Sequence, residues 1–96
     1  MISSKIEDGT LFIFVNGSFT INLFPEFQAT YENKKFESVI IDFSNTDSID
    51  SGGLGMLLQL RTIQGENANN ITLKGVSKQI LKVFEVVNFE KLFKMV

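Results

Sequence analysis

The sequence predicts an α/β fold in which a mixed β-sheet of about five strands carries an N-terminal hairpin and about three packed helices. Short apolar runs typical of strands alternate along the chain with longer apolar or amphipathic segments typical of helices. The pair Asp8-Gly9 separates the first two strand-like runs, as in a tight hairpin turn. The 96 residues are enough for one small domain, and the 44% of hydrophobic residues, ten phenylalanines among them, can form its core.

The first two strands are predicted over residues 2–7 and 10–15. The second of these is continuously apolar from residue 11 onward rather than alternating, which indicates a strand covered on both faces. The polar stretch Asn16-Gly17-Ser18 is expected to end it.

A first helix is predicted over about 24–33, because Pro25 fits the first turn of a helix, where its missing N–H costs nothing. Asn22 is the expected N-cap of this helix. Residues 39–43 form the next strand-like run, and residues 44–48 are predicted to be a polar loop.

The second helix is predicted to follow Ser51, its expected N-cap, and to stop at Gly65. It is apolar nearly all round, so it should be buried on more than one side or present an exposed apolar patch. The rest of the chain predicts a turn over 67–70, a strand over 71–76, a helix over about 78–87 capped by Ser77, and a final strand over 92–96. The side chains expected in the core are Phe14, Ile41, Leu57, Leu60 and Phe84.

The composition excludes several function classes. The chain has neither cysteine nor histidine, which removes disulfides, thiolate and imidazole metal sites, and the serine–histidine triad, so we expect no enzyme activity, no cofactor and no metal. The formal net charge is -2 and the basic pair Lys34-Lys35 is interpreted as a solvated helix end, so no nucleic-acid binding is predicted. The sequence shows no signal peptide and no apolar stretch of about 20 residues, which predicts a cytoplasmic protein without direct membrane insertion.

The segment from Asp50 to Gly55, Asp-Ser-Gly-Gly-Leu-Gly, has the chemistry of a modification site. A hydroxyl at Ser51 would lie at the positive end of a helix dipole, near backbone N–H groups without helical partners, where a phosphate can be held. The glycines would let a partner approach closely. The local chemistry leaves a second interpretation open, since serine is a common N-cap without further purpose and glycines after a loop often serve packing.

The run Val39–Phe43 followed by Ile49–Leu58 resembles the STAS family, the sulfate transporter and anti-sigma factor antagonist domains. That family typically shows an apolar strand ending in Asp-Leu, a short polar loop, and an Asp-Ser-Ser-Gly-Leu-Gly segment that opens a helix. The resemblance implies a single STAS-like domain over residues 1–96, of the anti-sigma factor antagonist type. It continues beyond the motif through Val76-Ser77, Ile80 to Phe84, and Leu92-Phe93.

The resemblance implies a phosphorylation switch at Ser51, the position of the first serine of the family's motif. The unphosphorylated form would bind a serine protein kinase of the histidine-kinase-like ATPase class, which is also the anti-sigma factor. Phosphorylation would release this partner, and a PP2C-type phosphatase would reset the switch. The surface expected to bind the partner surrounds Ser51 and comprises Asp47, Ser48, Asp50, Gly52, Gly53 and Met56.

The role of Asp50 stays open between two interpretations. It could orient the Ser51 hydroxyl or position the metal-bound nucleotide of the kinase. It could equally be a carboxylate that interacts favourably with the dipole of a helix N-terminus and does nothing else.

Two positions depart from the family's pattern. Gly52 stands where the family has a second serine, and the stretch from Gly17 to Thr20 lacks the acid that the family often carries near the acceptor. These departures keep open a different function, that of a non-switching STAS interaction subunit of a membrane lipid-transport complex. Binding of a nucleotide by the domain itself is a third alternative.

Overall fold

The computed structural model describes residues 1–66 and 70–96, and its strands form one sheet in chain order. The strands are β1 (Ile2–Glu7), β2 (Thr10–Phe19), β3 (Ser38–Ile49), β4 (Ile71–Lys74) and β5 (Lys94–Met95). β1 and β2 are antiparallel and form the hairpin, whereas β3, β4 and β5 each run parallel to the preceding strand. The predicted α/β class, with a mixed sheet and an N-terminal hairpin, is confirmed.

The described residues contain three helices, α1 (Phe24–Tyr31), α2 (Ser51–Ile63) and α3 (Lys78–Val86), which connect successive parallel strands. Short 3-10 turns precede α1 and follow α3, at Ile21–Leu23 and Phe89–Lys91. The buried side chains of strands and helices form one cluster, and in β2 and β3 burial falls on alternate residues. Alternate burial means that the helices cover one face of the sheet and leave the other face open.

The open face carries aromatic side chains from the middle of β2. Phe12 and Phe14 are half-buried there, and the Lys5 Nζ lies 5.4 Å from the centre of the Phe12 ring. The expectation that this strand is covered on both faces is therefore wrong, and Phe14 is not a core residue. A continuous apolar run does not by itself distinguish a doubly covered strand from one that places aromatics on a solvated face. The other expected core residues are fully buried: Ile41, Leu57, Leu60 and Phe84.

β2 and β3 run beyond the ends predicted for them. Asn16-Gly17-Ser18 continues β2, and the predicted loop 44–48 continues β3. The two extensions pair with each other, with register shifts, after the pairing of β3 with β4 has ended at Asp42. Most of their polar side chains are exposed, so no apolar pattern marks them, while the pairing satisfies backbone groups that a loop would leave to water.

The hairpin turn and the end of α2 form as the sequence predicts. Asp8 and Gly9 both have positive φ, 50° and 78°, as a two-residue hairpin turn requires. Beyond α2, Gly65 has a φ of 80° and the Glu66 N–H donates to the Arg61 carbonyl at 2.8 Å, which is the Schellman arrangement.

Of the N-caps predicted for the other two helices, one is confirmed and one is wrong. The Ser77 hydroxyl accepts the N–H of Ile80 at 3.2 Å, which confirms it as the N-cap of α3. Asn22 does not cap α1, because a 3-10 turn leads directly into the helix and places Leu23 at the cap position without a side-chain bond. Most of the predicted turn over 67–70 lies outside the described residues.

Candidate functional site

The Asp-Ser-Gly-Gly-Leu-Gly segment lies where β3 ends and α2 begins. Ile49, the last residue of β3, pairs with Phe19 of β2, and the N–H of Asp50 donates to the Phe19 carbonyl at 3.4 Å. The paired strand ends therefore hold the start of α2 at the edge of the sheet where the parallel strands have their carboxyl ends. Open α/β sheets form their binding sites at this edge.

Asp50, not Ser51, is the N-cap of α2. Its backbone is extended, and its Oδ1 accepts the N–H of Gly53 at 2.8 Å. Aspartate is a favoured N-cap, and its negative charge suits the positive end of the helix dipole. The prediction that Ser51 caps the helix is therefore wrong, because the preceding residue already takes the N–H that a cap accepts.

This shift leaves the Ser51 hydroxyl without a capping role. Ser51 is the first residue of the helix and is exposed, and its side chain makes no hydrogen bond to any described residue. Ser77, at the start of α3, provides the contrast, since its hydroxyl accepts a backbone N–H. Of these two helix-start serines, only Ser51 presents a hydroxyl free for modification.

The first two glycines of the segment serve packing. A Cβ on Gly53 would collide with the Phe19 carbonyl oxygen, and a Cβ on Gly52 would lie 2.7 Å from the Cβ of Ile21. The strand end and the 3-10 turn thus approach the helix start closely because no side chain intervenes. Gly52 stands at the position where the STAS pattern described above has a second serine. A serine there would bring its Cβ too close to Ile21, so this departure from the pattern permits the close approach of Ile21.

Gly55 differs from the other two glycines. A Cβ there would meet nothing within 4 Å, and its φ is not positive. Neither packing nor backbone conformation within the described chain requires a glycine at this position. It lies one helical turn after Ser51, on the same exposed face, and leaves room above the helix backbone.

The remaining predicted contact residues divide between surface and core. Asp47 and Ser48 are exposed at the end of β3, where the Ser48 hydroxyl donates to the Ser18 hydroxyl oxygen at 3.0 Å. Met56 is only 2% exposed and packs in the core, so its place in the predicted contact surface is corrected. The turn of the helix directs it to the buried face, although it is only five residues from Ser51.

Two exposed apolar side chains near Ser51 were not among the residues predicted to contact the partner. Leu58 is 41% exposed on the same helical face as Ser51 and Gly55, and Ile21 is 55% exposed beside Gly52. The signal for Leu58 was the apolar character of α2 on all sides, which predicted either burial on more than one side or an exposed apolar patch. The exposure of Leu58 agrees with the second of these alternatives. We call Ser51, Asp50, Ile21, Gly55 and Leu58 the Ser51 surface.

The electrostatics of the Ser51 surface limit how a phosphate would be held. Asp50 already occupies the Gly53 N–H, and its carboxylate is adjacent in sequence to the acceptor serine. A phosphate on Ser51 would find only the first helical N–H groups, those of Ser51 and Gly52, free of helical partners. It would also add about -1.5 to -2 charge beside an existing negative charge. The phosphate would therefore remain a surface charge rather than one neutralised by the helix.

In the described part of the chain, no helix is both long enough and apolar enough to span a bilayer. The family model described as "Mlab, STAS domain" matches residues 2–96. The chain is 33% identical over 87 residues to a STAS-domain containing protein of Pseudomonas aeruginosa, a match that covers 88% of this chain and 86% of that one. It is 35% identical over 48 residues to the intermembrane phospholipid transport system binding protein MlaB of Escherichia coli, which covers 50% of each chain.

Among solved structures, the fold is similar to that of the Bacillus cell fate determinant SpoIIAA in its phosphorylated form. The TM-score is 0.72 at 16% identity, covering 100% of this chain and 91% of that one. SpoIIAA in its unphosphorylated form, an anti-sigma factor antagonist, gives the same TM-score of 0.72 at 17% identity, covering 100% and 87%. At these identities the likeness shows a shared fold.

Proposed function

The chain belongs to the STAS domain family, and we propose that it acts there as a phosphorylation-controlled regulator of the anti-sigma factor antagonist type. The observation that carries the proposal is the Ser51 hydroxyl, which is exposed and unengaged at the start of α2 because Asp50 caps the helix. A kinase can reach such a hydroxyl without first breaking a cap.

In its unphosphorylated form, the Ser51 surface binds a cytoplasmic serine kinase that is also the anti-sigma factor, of the histidine-kinase-like ATPase class. Ile21 and Leu58 supply apolar contact, and Gly55 lets the partner approach the backbone of α2. Asp47 and Ser48 extend the contact along the end of β3.

Phosphorylation releases the partner by charge. A dianion at the centre of an interface, next to the Asp50 carboxylate, must be desolvated without a compensating partner, which costs several kcal/mol. Since about 1.4 kcal/mol changes affinity tenfold, one phosphate is enough to weaken binding by about a hundredfold or more. A PP2C-type phosphatase restores the binding form. The chain itself supplies no catalytic group in this cycle.

The test begins with the histidine-kinase-like ATPase that co-purifies with the wild-type chain from its native cells. With ATP, we expect this kinase to add one phosphate, located at Ser51 by peptide mapping, and the complex to dissociate. Ser51→Ala should stay bound in the presence of ATP, and Ser51→Asp should bind more weakly than wild type. Ser77→Ala is the matched control, because it removes the hydroxyl of a helix start whose oxygen is engaged, and it should leave both phosphorylation and release unchanged. Equal binding of wild type, Ser51→Ala and Ser51→Asp would refute the switch.

A second function is favoured by one specific observation, the similarity to MlaB over half of each chain. In that case the same surface would bind constitutively, as a non-switching interaction subunit of a membrane lipid-transport complex. Co-purification with the ATPase subunit of a transporter, together with an unmodified Ser51 under growth and stress, would support this function in place of the switch.

A further inference from the structure

A cavity lies at the end of α2 opposite Ser51, and nothing in the proposed switch uses it. It has a volume of about 500 Å³ and is bounded by the C-terminal ends of α1 and α2 and by the loop that follows α1. This volume is within the range of about 300–1,000 Å³ of small-molecule sites. The lining residues that carry the inference are Tyr31, Lys34, Lys35, Phe36, Ile63 and Gln64.

Tyr31 is the first observation that points to a ligand. It is only 6% exposed, its ring packs edge-on against Phe27 with centroids 5.6 Å apart, and its hydroxyl is buried without a hydrogen-bond partner among the described residues. Buried tyrosine hydroxyls usually have a hydrogen-bond partner, and leaving one unpaired is destabilising. Burial, and then the negative charge of Glu32, raises the pKa of this hydroxyl above its ordinary value, so near neutral pH it is a donor. None of the described residues offers this hydroxyl an acceptor oxygen.

The charge at the cavity is the second, independent observation. Lys34 and Lys35 are exposed on its rim, and neither forms an ion pair with a described residue. Glu32 is the one acid among the lining residues, which leaves an excess of one positive charge. Phe36, half-buried, and the exposed Ile63 provide apolar walls. Such a combination favours a molecule with an anionic group at one end and an apolar body at the other.

We propose that this cavity binds a small molecule that joins an oxygen-rich anionic group to a flat apolar body, as an aromatic phosphate does. The Tyr31 hydroxyl donates to an oxygen of the anion, Lys34 and Lys35 attract its charge, and Phe36 and Ile63 pack against its apolar part. The site is separate from the Ser51 surface, because the first and last residues of α2 are about 18 Å apart along the helix axis at 1.5 Å per residue.

The test uses phenyl phosphate as the probe and the full chain labelled with nitrogen-15. We expect saturable shifts of the backbone signals of residues 28–36, 63 and 64, and a change in tyrosine fluorescence, which reports Tyr31 alone because the chain has one tyrosine and no tryptophan. Inorganic phosphate, which lacks the apolar body, and benzyl alcohol, which lacks the charge, should each bind more weakly.

Variants distinguish binding through the proposed contacts from non-specific attraction of the anion to surface lysines. Tyr31→Phe should weaken phenyl phosphate binding by up to about tenfold, the effect of one hydrogen bond. It should not lower thermal stability, because it removes an unpaired buried group. Lys34→Ala combined with Lys35→Ala should weaken binding, whereas Lys78→Ala combined with Lys82→Ala, two exposed lysines of α3, should not.

Three results would overturn the proposal: the absence of saturable shifts at these residues, shifts distributed over lysines of the whole surface, or unchanged binding in Tyr31→Phe. The binding of phenyl phosphate does not depend on the proposed phosphorylation of Ser51. Ser51→Ala should bind phenyl phosphate as wild type does, so a failed switch and an empty cavity are distinguishable.

Discussion

At the scale of single residues, two tasks are divided between neighbours: Asp50 caps α2, and Ser51 presents the hydroxyl for which we propose phosphorylation. Asp50 accepts the Gly53 N–H at 2.8 Å and so stabilises the helix start, while Ser51 keeps its hydroxyl free. Asp50→Ala should cost about 1 kcal/mol, the usual effect of removing an N-cap, and should lower the thermal midpoint by about 4–8 °C in a domain of this size. Thermal unfolding followed by circular dichroism measures this change.

Asp50→Asn is the matched variant, because its side-chain oxygen can still accept the same N–H without the charge. It should retain most of the stability lost in Asp50→Ala. If Asp50→Asn is stable but is phosphorylated more slowly at Ser51, Asp50 also acts on the kinase. If Asp50→Ala unfolds at the wild-type midpoint, the cap contributes nothing and the division of tasks fails.

The glycines of α2 offer a second comparison between single residues. Gly53→Ala should destabilise the protein by about 1–3 kcal/mol, since the new methyl group collides with the Phe19 carbonyl oxygen. Gly55→Ala should stabilise it by about 0.5–1 kcal/mol, because nothing lies within 4 Å and alanine is the better helix former. Urea unfolding of both variants tests the pair, and a destabilised Gly55→Ala would contradict the open space above Gly55.

Tyr31 gives a pH dependence that can be assigned to one side chain. Its pKa is raised above the ordinary value of 10.0, first by burial and then by the negative charge of Glu32, so the folded state holds this proton more tightly than the unfolded state does. The contribution of Tyr31 to the free energy of unfolding is complete below the pKa that its hydroxyl has in the unfolded chain. It is lost as the pH rises through the pKa of the hydroxyl in the folded protein. Absorbance of tyrosinate, from the only tyrosine of the chain, should show a midpoint above 10.0 in the folded protein. A midpoint at the ordinary value would contradict the burial of this hydroxyl.

At the scale of elements, sequence patterns predicted those parts that have a local cause. The Asp8-Gly9 turn, the cap at Ser77 and the helix end at Gly65 each depend on residues within a few positions of one another, and all three formed. The position of Ser51 at the start of α2 was also predictable, because a polar residue preceded a long apolar helix. The choice of Asp50 rather than Ser51 as the N-cap was not predictable, because aspartate and serine are nearly equal caps and these two residues are adjacent in the sequence.

The missed parts of the fold depend on partners distant in sequence. The extensions of β2 and β3 pair Asn16 with Asn45 and Phe19 with Ile49, which no local pattern reveals. The burial of Met56 follows from the face of α2 that meets the sheet, and its neighbours in sequence do not specify that face when the helix is apolar all round. Ile21 reached the Ser51 surface through a 3-10 turn against Gly52, a contact across 31 positions of the chain.

At the scale of the whole molecule, phenylalanines connect two of the helices, α1 and α3, to the sheet. Phe27 of α1 contacts Phe19 of β2, with ring centroids 5.2 Å apart, and Phe19 contacts Phe43 of β3 at 5.4 Å. Phe43 continues the series to Phe84 of α3 at 6.3 Å, which stacks on Phe89 at 5.6 Å. Most of these pairs are edge-to-face, the favourable arrangement of aromatic rings. The Ser51 surface therefore lies on a continuous aromatic core that reaches both α1 and α3.

Phe43 occupies the centre of this series, so its loss should affect the whole fold. Phe43→Ala should cost about 3–5 kcal/mol, a large part of the roughly 5–15 kcal/mol that stabilises a domain. Phe14→Ala removes the same side chain from β2, where it is half-buried on the open face, and should cost clearly less because the removed ring leaves no cavity. Urea unfolding at equilibrium measures both. Equal losses would mean that the open face is covered by something as well packed as the helix layer, and the one-sided core described above would then be wrong.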